Sequence, residues 1–372
     1  MRQILTFCCA TIAVFGQAPA QSPVAAPDYL VWVASEATDR IALVRFSAAA
    51  GARVEREFTI GLLPTDPDGP HGLTVSPDGR FLYITTAHGQ PFGFLWKIDA
   101  ATSAVVGRVE LGMFPATLQL TPDGAFAYVV NFNVHGEMVP SSVSVVGTDD
   151  MVEIARVPTC TMPHGSRLNP QGTKQYSACM MDDMVVEIDT RTFGVSRVFS
   201  VAKGAEQPAA LAPEHHAPRP TPHAPSCSPT WAQPSADGSR VYVACNKSNE
   251  ILDIDVDRWV LARRLAAAEG VYNLAVTHDG QLLLATNKRG QSVSVFELAT
   301  GKELARIPTK RRIVHGVVVS PDDRYAFVSV EGIGSQPGTV EVIDLRTRAA
   351  VAAADVGQMA GGIDFWKTEG GH

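Results

Sequence analysis

Three of the ten histidines share one local sequence context. His71 and His164 stand in Pro-His-Gly, and His315 stands in Val-His-Gly, each at the start of an apolar segment. Neutral imidazoles that converge and leave one position open can bind zinc, copper or iron. The sequence therefore predicts a histidine-rich metal or ligand site if one fold brings these residues together. The alternative is that each His-Gly pair is a structural cap between neighbouring elements.

Other chemistries have less support. The sequence has no Gly-x-Ser-x-Gly segment, so a serine nucleophile is not expected. It also has no Cys-x-x-Cys-His segment, so haem c is not expected, and we expect no nucleotide cofactor. The cysteines that follow residue 20 are Cys160, Cys179, Cys227 and Cys245. Because no two of them form a Cys-x-x-Cys pair, a thiolate metal site is less expected than disulfides.

The N-terminus has the pattern of an export signal. Arg2 precedes an apolar run over residues 4–15, and residues 17–20 read Gln-Ala-Pro-Ala, a form that signal peptidase cleaves. We expect residues 1–20 to be a signal peptide, residues 21–28 to be a linker, and the mature protein to be periplasmic or secreted. No later run reaches about 18 apolar residues, so no membrane span is predicted. An even cysteine count in an oxidising compartment favours two disulfides.

Composition and length limit the fold. Apolar residues make up 45% of the chain and charged residues 19%, and the formal net charge of −7 argues against a nucleic-acid partner. The 372 residues exceed the roughly 250–300 at which a single core stops growing. With 31 Gly and 25 Pro, the chain is expected to form many short strands and turns, in two domains or in one repeat array.

An internal repeat decides between these alternatives. Its unit starts with an apolar segment that ends in a Ser-Pro-Asp-Gly-like turn, and six copies occur, at residues 71–79, 116–124, 164–172, 230–238, 272–280 and 315–323. Each copy continues with alternating apolar runs, which predict four antiparallel strands per unit. Residues 29–60 supply the last three strands of a seventh unit, and residues 361–366 supply its first strand.

A unit built from both chain ends closes a ring and leaves no sheet edge open. We therefore predict an all-β, seven-bladed β-propeller over residues 29–366, with residues 367–372 as a tail and with the protein expected to be a monomer. The rhythm of segments such as SPDGRFLYITT and VEVID resembles the YVTN family of propeller repeats. That resemblance covers nearly the whole mature chain and implies a fold shared with lactonase-like enzymes and with the nitrous oxide reductase propeller.

Propeller topology places most histidines on one face. Loops that precede the innermost strands and loops that follow the second strands lie at the same face, called the top face here. Eight of the ten histidines fall there: His71, His88, His135, His164, His215, His216, His223 and His315. At the channel mouth, the aligned positions are His71, Ala116, His164, Thr230, Tyr272, His315 and Gly361.

This register predicts a metal site at His71, His164 and His315, with His88 and His135 beside it. Copper is favoured over zinc because Met113, Met162, Met180, Met181 and Met359 lie on the same face. The nitrous oxide reductase propeller resembles this arrangement in holding copper with hub histidines, but Ala116, Thr230 and Gly361 cannot complete such a ring. The alternative is a polar, water-filled funnel.

The repeat also orders the cysteines and the basic residues. Cys160 with Cys179, and Cys227 with Cys245, occupy matching places in blades three and four, so pairing within each blade is favoured, with Cys160 to Cys227 as the alternative. An arc of basic residues beside the hub, together with Tyr272 and Thr230, is expected to bind a small anionic ligand; its members are Lys288, Arg289, Lys310, Arg311 and Arg312. Residues 203–228, rich in Pro and His, are expected to form a flap or a docking arm for a periplasmic partner.

Three function classes follow from the sequence. One is a metal-assisted oxidoreductase or hydrolase at the top funnel, in which the ion activates a bound water or a copper ion is redox-active. Another is a propeller that binds a ligand or a partner protein without catalysis. The third is the lactonase-like hydrolase that the resemblance implies, for which the same histidines would serve.

Overall fold

The computed structural model describes residues 26–63, 65–88, 92–210 and 224–370 of the chain. These residues form 29 β-strands in seven antiparallel sheets, with one short 3-10 helix at Glu36–Thr38. The seven-bladed, all-β propeller is confirmed. No helix of this described part is long and apolar enough to cross a membrane. The predicted signal peptide and the histidines His215, His216 and His223 lie outside the described residues.

Each blade has four strands that follow one another from the central channel outward, and blade three has a fifth. The innermost strands are β4 (Pro70–Val75), β8 (Pro115–Leu120), β12 (Pro163–Leu168), β17 (Pro229–Pro234), β21 (Val271–Val276), β25 (Val314–Val319) and β29 (Ala360–Glu369). The second strands are β5 (Phe81–Thr86), β9 (Phe126–Asn131), β13 (Lys174–Cys179), β18 (Arg240–Cys245), β22 (Leu282–Asn287), β26 (Tyr325–Val330) and β1 (Asp28–Ser35).

The outer half of each blade completes the sheet. The third strands are β6 (Phe94–Asp99), β10 (Pro140–Gly147), β14 (Met184–Asp189), β19 (Glu250–Asp255), β23 (Ser292–Glu297), β27 (Gly338–Asp344) and β2 (Arg40–Ser47). The outermost strands are β7 (Val105–Glu110), β11 (Val152–Thr161), β15 (Gly194–Ser200), β20 (Val260–Ala266), β24 (Glu303–Pro308), β28 (Ala349–Val356) and β3 (Gly51–Thr59). Apolar side chains of adjacent blades pack face to face and form the core.

The seventh blade closes the ring as the sequence predicts. Strand β29 pairs antiparallel with β1 and packs between the innermost strands β4 and β25. The pairing continues to Glu369, opposite Asp28, so this strand extends three residues beyond Trp366, where we expected a tail to begin. Arg45 binds both residues of this last pair, since its guanidinium lies 2.9 Å from Asp28 and 2.8 Å from Glu369.

Blade three carries a strand that the sequence pattern did not predict. Residues Gln207–Ala209 form β16, which pairs with β15 and makes this sheet five-stranded. They belong to the 203–228 segment, for which we expected a flap or a docking arm. The segment is Pro-rich, and a three-residue edge strand is too short to produce a periodic apolar pattern.

The Asp-Gly turns at the bottom face are structural. In the first, Asp78 accepts hydrogen bonds from the Ser76 hydroxyl at 2.6 Å and from the Arg80 amide at 3.0 Å. Gly79 has a φ of +70°, which glycine adopts without strain. The same hydroxyl-carboxylate pair recurs at Thr121 and Asp123, so these residues close turns as expected.

Both predicted disulfides are present. Cys160, near the end of β11 in blade two, is bonded to Cys179, the last residue of β13 in blade three, so this bond joins neighbouring blades and does not lie within one blade as predicted. Cys227 is bonded to Cys245, the last residue of β18, within blade four. The alternative linkage of Cys160 to Cys227 is therefore excluded.

Candidate functional site

Four side chains form a ring at the top of the channel, one from each of four innermost strands. The ring centroids of His71 and His315 lie 5.6 Å apart, and those of His71 and His164 lie 6.4 Å apart. Tyr272 completes the ring, 5.3 Å from His164 and 4.9 Å from His315. The structure therefore brings together the three histidines that share a repeat position. We call these four residues the hub ring.

The glycine that follows each hub histidine allows the blades to approach one another. A Cβ atom on Gly72 would lie 1.9 Å from the Ala116 carbonyl oxygen, and one on Gly165 would lie 2.3 Å from that of Thr230. The Gly72 amide instead donates to the Thr85 hydroxyl, which in turn donates to the Ala116 carbonyl. The glycine of each His-Gly pair thus allows the first residues of neighbouring innermost strands to lie close together around the channel axis.

Glu36 is the acid that orients the ring. Its carboxylate is buried and accepts a hydrogen bond from Nδ1 of His71 at 2.8 Å. Its other oxygen accepts a hydrogen bond from Nε2 of His88, and Nδ1 of His88 lies 3.3 Å from Nε2 of His135. Burial would raise the pKa of Glu36, but the two imidazoles outweigh it and hold that pKa far below its usual range. The hydrogen bond to Glu36 in turn raises the pKa of His88.

His164 is fixed as a neutral imidazole. Its Nδ1 donates to the Thr230 carbonyl at 2.8 Å, and its Nε2 accepts a hydrogen bond from the Tyr272 hydroxyl at 2.9 Å. Burial lowers the pKa of His164 to about 3. The Thr230 hydroxyl is fully buried and donates to the Tyr272 carbonyl, so it joins two blades. Neither Thr230 nor His164 therefore has a polar side-chain atom left for a ligand in this arrangement.

Lys288 is the cation that faces the ring. Its ammonium lies 4.3 Å from the centroid of the Tyr272 ring and 2.8 Å from the Glu331 carboxylate. Burial lowers the pKa of Lys288, but Tyr272 and Glu331 outweigh it and raise that pKa overall. Nε2 of His315 lies 3.8 Å from the same Glu331 oxygen. Burial, followed by the charge of Lys288, holds the pKa of His315 well below its usual value.

Two ring nitrogens are left without partners. Nε2 of His71 and Nδ1 of His315 are buried and have no hydrogen-bond partner. Both residues line a small cavity of about 30 Å³ just inside the channel. A space of this size holds about one or two water molecules, since one water needs roughly 10–15 Å³. The hub ring therefore presents unsatisfied imidazole nitrogens to a water-sized space.

The five histidines predicted to bind metal do not form one ligand set. In the described part of the chain, no group of three or more His, Cys, Asp or Glu side chains is arranged to hold a metal ion. His88 and His135 extend from Glu36 along the top face instead of joining the ring. Met162, Met180 and Met181 pack into an apolar cluster around Phe114 and Phe132.

Most of the predicted basic arc is occupied by protein partners. Arg289 lies 3.0 Å from the Asn246 side-chain oxygen and 3.3 Å from Glu269. Arg311 donates to the Pro337 carbonyl and pairs with Asp355 at 3.0 Å. Arg312 is exposed, and of the predicted arc Lys288 is the residue that contacts the hub ring.

Sequence reasoning missed the two acids of the site. Glu36 follows the last residue of β1, and Glu331 follows the last residue of β26. The equivalent position in blade five is Lys288, directly after β22. These three charged residues share one repeat position, directly after the second strand, and an alignment of the second-strand ends predicts that they lie together.

Exposed apolar side chains lie on the top-face loops, and we call them the apolar rim. Six large apolar side chains on top-face loops are exposed: Leu62, Leu63, Phe92, Met138, Ile333 and Met359. They come from consecutive blades six, seven, one and two.

Known structures share this fold. The periplasmic gluconolactonase of Pseudomonas aeruginosa has a TM-score of 0.70 at 18% identity, over 91% of this chain and 99% of that one. A Bacteroides fragilis protein provisionally assigned as a 6-phosphogluconolactonase has a TM-score of 0.66 at 14% identity, over 94% and 100%. Hydrazine synthase of Kuenenia stuttgartiensis has a TM-score of 0.61 at 22% identity, over 81% and 90%.

At these identities the likeness concerns the fold alone. No protein-family model and no curated protein sequence matches the chain significantly.

Proposed function

We propose that this propeller is a hydrolase that opens a lactone or a related ester at its top mouth, with His71 as the general base. One observation carries the proposal. Glu36 fixes Nδ1 of His71 as a hydrogen-bond donor, which leaves Nε2 as a lone-pair acceptor beside a water-sized cavity. A carboxylate-imidazole pair of this kind holds the tautomer that accepts a proton.

The reaction follows from these positions. A water in the cavity attacks the carbonyl carbon of the substrate and transfers its proton to Nε2 of His71. Glu36 stabilises the resulting imidazolium. The tetrahedral oxyanion then collapses, the carbon-oxygen bond of the ring breaks, and the imidazolium returns the proton to the leaving alkoxide. The Lys288 ammonium, held beside Tyr272 and Glu331, provides positive charge for the oxyanion.

The comparisons support this choice of substrate class. Two of the structures with the same fold carry lactonase names, and their folds overlap nearly all of this chain. The apolar rim suits a lactone with an aliphatic portion, and the partly buried Lys288 suits a carbonyl oxygen or an anionic group.

A rate measurement tests the proposal. Hydrolysis of D-glucono-1,5-lactone and of aliphatic γ- and δ-lactones is followed by base uptake at constant pH, with chelator present. Glu36→Gln keeps the side-chain size but removes the charge, so kcat should fall by roughly 10²–10⁴ while KM changes little. The matched control is His278→Asn, on the bottom face, where His278 pairs with Asp323. Parental rates in Glu36→Gln, or no lactone hydrolysis by the parent, would contradict the proposal.

A metal-assisted reaction is the second candidate. The free nitrogens of His71 and His315 belong to rings 5.6 Å apart, and two imidazoles with bound water make a usable, open copper or zinc site. The metal would polarise the substrate carbonyl and lower the pKa of its bound water. Stoichiometric copper in purified protein, lost in His315→Ala but kept in His278→Ala, together with activity abolished by chelator, would favour this candidate over the metal-free base.

We also propose a periplasmic or secreted location. Two disulfides support an oxidising compartment, where such bonds persist. Fractionation of the producing cells, followed by thiol labelling of the purified protein, tests it. Free thiols at all four cysteines in protein from the cytosolic fraction would contradict it.

A further inference from the structure

A partly buried arginine lies beneath the hub ring and has no role in the proposed reaction. Arg167, on β12, lines the same cavity as His71 and His315. Its guanidinium lies 4.4 Å from the centroid of the Trp231 ring, and Nη1 donates to the Ser166 carbonyl at 2.9 Å. Burial lowers the pKa of Arg167 to about 10, so it keeps its charge at neutral pH.

This charge has no close counterion among the described residues. Asp364 acts on Arg167 electrostatically but forms no ion pair with it, because its carboxylate instead accepts hydrogen bonds from the Thr74 hydroxyl and the Val75 amide. Charges that are partly withdrawn from bulk water are usually paired with an opposite charge. The cavity beside the guanidinium is therefore where a counterion is expected.

The walls of the cavity suit an anion. In the described chain, the residues that line it include no Asp or Glu, and Arg167 is the charged one among them. Nδ1 of His315 is buried there without a partner, and its Nε2 faces Glu331 and Lys288. As a neutral imidazole, His315 can carry its proton on Nδ1 and donate it into the cavity. The volume of about 30 Å³ is close to that of one small ion or of one or two water molecules.

We propose that this cavity binds one small monovalent anion of the size of chloride, held by the guanidinium of Arg167 and the Nδ1–H of His315. The ion would lie below the hub ring, opposite the face from which a substrate enters. Its charge would balance Arg167 and would stabilise the folded protein. The ion would occupy the cavity in which the proposed hydrolysis places its attacking water, so the two would exclude each other. The binding measurements below need no substrate and therefore test the anion site separately from the hydrolase proposal.

Bromide replaces chloride in the first experiment. Crystals of the full chain grown without halide are soaked in sodium bromide, and anomalous diffraction is measured at the bromine edge. The expected result is one strong peak in the channel within about 3.5 Å of the Arg167 guanidinium. An ordered water there, with bromide absent or scattered on the surface, would overturn the proposal.

Thermal stability gives the solution test. Tm is measured in sodium chloride and in sodium gluconate at matched ionic strength, and a specific site adds a chloride increment that saturates as one-site binding. Arg167→Gln should lose this increment, while the control Arg53→Gln, an exposed arginine, should keep it. An equal increment in Arg167→Gln and the parent would overturn the site. If Arg167→Gln does not fold, His315→Asn, which keeps the shape of the ring position, replaces it with the same expectation.

Discussion

Acid should destabilise this protein through its buried neutral imidazoles, and His164 allows the effect to be calculated. In the folded state, burial lowers the pKa of His164 to about 3, whereas an unfolded histidine has a pKa of about 6.5. Between these values the unfolded chain binds a proton that the folded protein excludes, so stability is lost as pH falls below the unfolded pKa. From about pH 7 to about pH 5, His164 alone should reduce the free energy of unfolding by about 2 kcal/mol.

The measurement compares two urea titrations. The free energy of unfolding is determined at about pH 7 and about pH 5 for the parent and for His164→Asn, whose amide can still donate to the Thr230 carbonyl. The variant is less stable than the parent by the same amount at both pH values, because the Tyr272 hydroxyl loses its acceptor. Its loss between the two pH values should be about 2 kcal/mol smaller than that of the parent. Equal pH dependence in the two proteins would refute the assignment of a buried, neutral His164. His278→Asn, at an exposed bottom turn, should show the parental pH dependence.

Three further predictions follow from the fold and the site. Deleting residues 361–372 should abolish cooperative unfolding, because it removes β29 and opens the ring; a truncated protein that melts like the full chain would show that this strand does not close it. Replacing Cys227 and Cys245 together by Ser should cost about 3 kcal/mol in urea denaturation, the value for a loop closed over a sequence separation of 18; a loss near zero would mean that native strain offsets the constraint. His88→Gln should lower lactone hydrolysis less than Glu36→Gln does, since it removes one of two partners of the carboxylate, and equal losses would mean that His88 is the base.

The sequence predicted the residues whose positions follow from the repeat. His71, His164 and His315 begin innermost strands, and such residues must meet at the axis of a closed ring. The disulfide pairs also follow, because each joins the segment that leads into an innermost strand to the end of the second strand beside it. Strand register thus carries enough information to place a residue on the hub without knowledge of its contacts.

Partners and local irregularities could not be predicted in the same way. Glu36 follows β1 in blade seven, whereas His71, its hydrogen-bond partner, lies in blade one. The hydrogen bond from Tyr272 to His164 crosses the channel between blades five and three. The pairing of β12 with β13 shifts register between Pro163 and Ser166, so that Arg167 lines the cavity where strict alternation from His164 would place Ser166. A metal site was predicted from shared positions, but ligand sets depend on which nitrogens remain free, and both nitrogens of His164 are engaged.

Chemical rescue of His71→Ala tests the central claim most directly. Removing the imidazole leaves a space beside Glu36 that added imidazole can enter, where its N–H can donate the same hydrogen bond to the carboxylate. The rate of lactone opening by His71→Ala, measured with chelator and corrected for the buffer reaction, should rise with imidazole and saturate. Glu36→Gln in the same background should remove this rise. A rate that stays at the uncatalysed level at every imidazole concentration, or parental activity in His71→Ala without imidazole, would contradict His71 as the base.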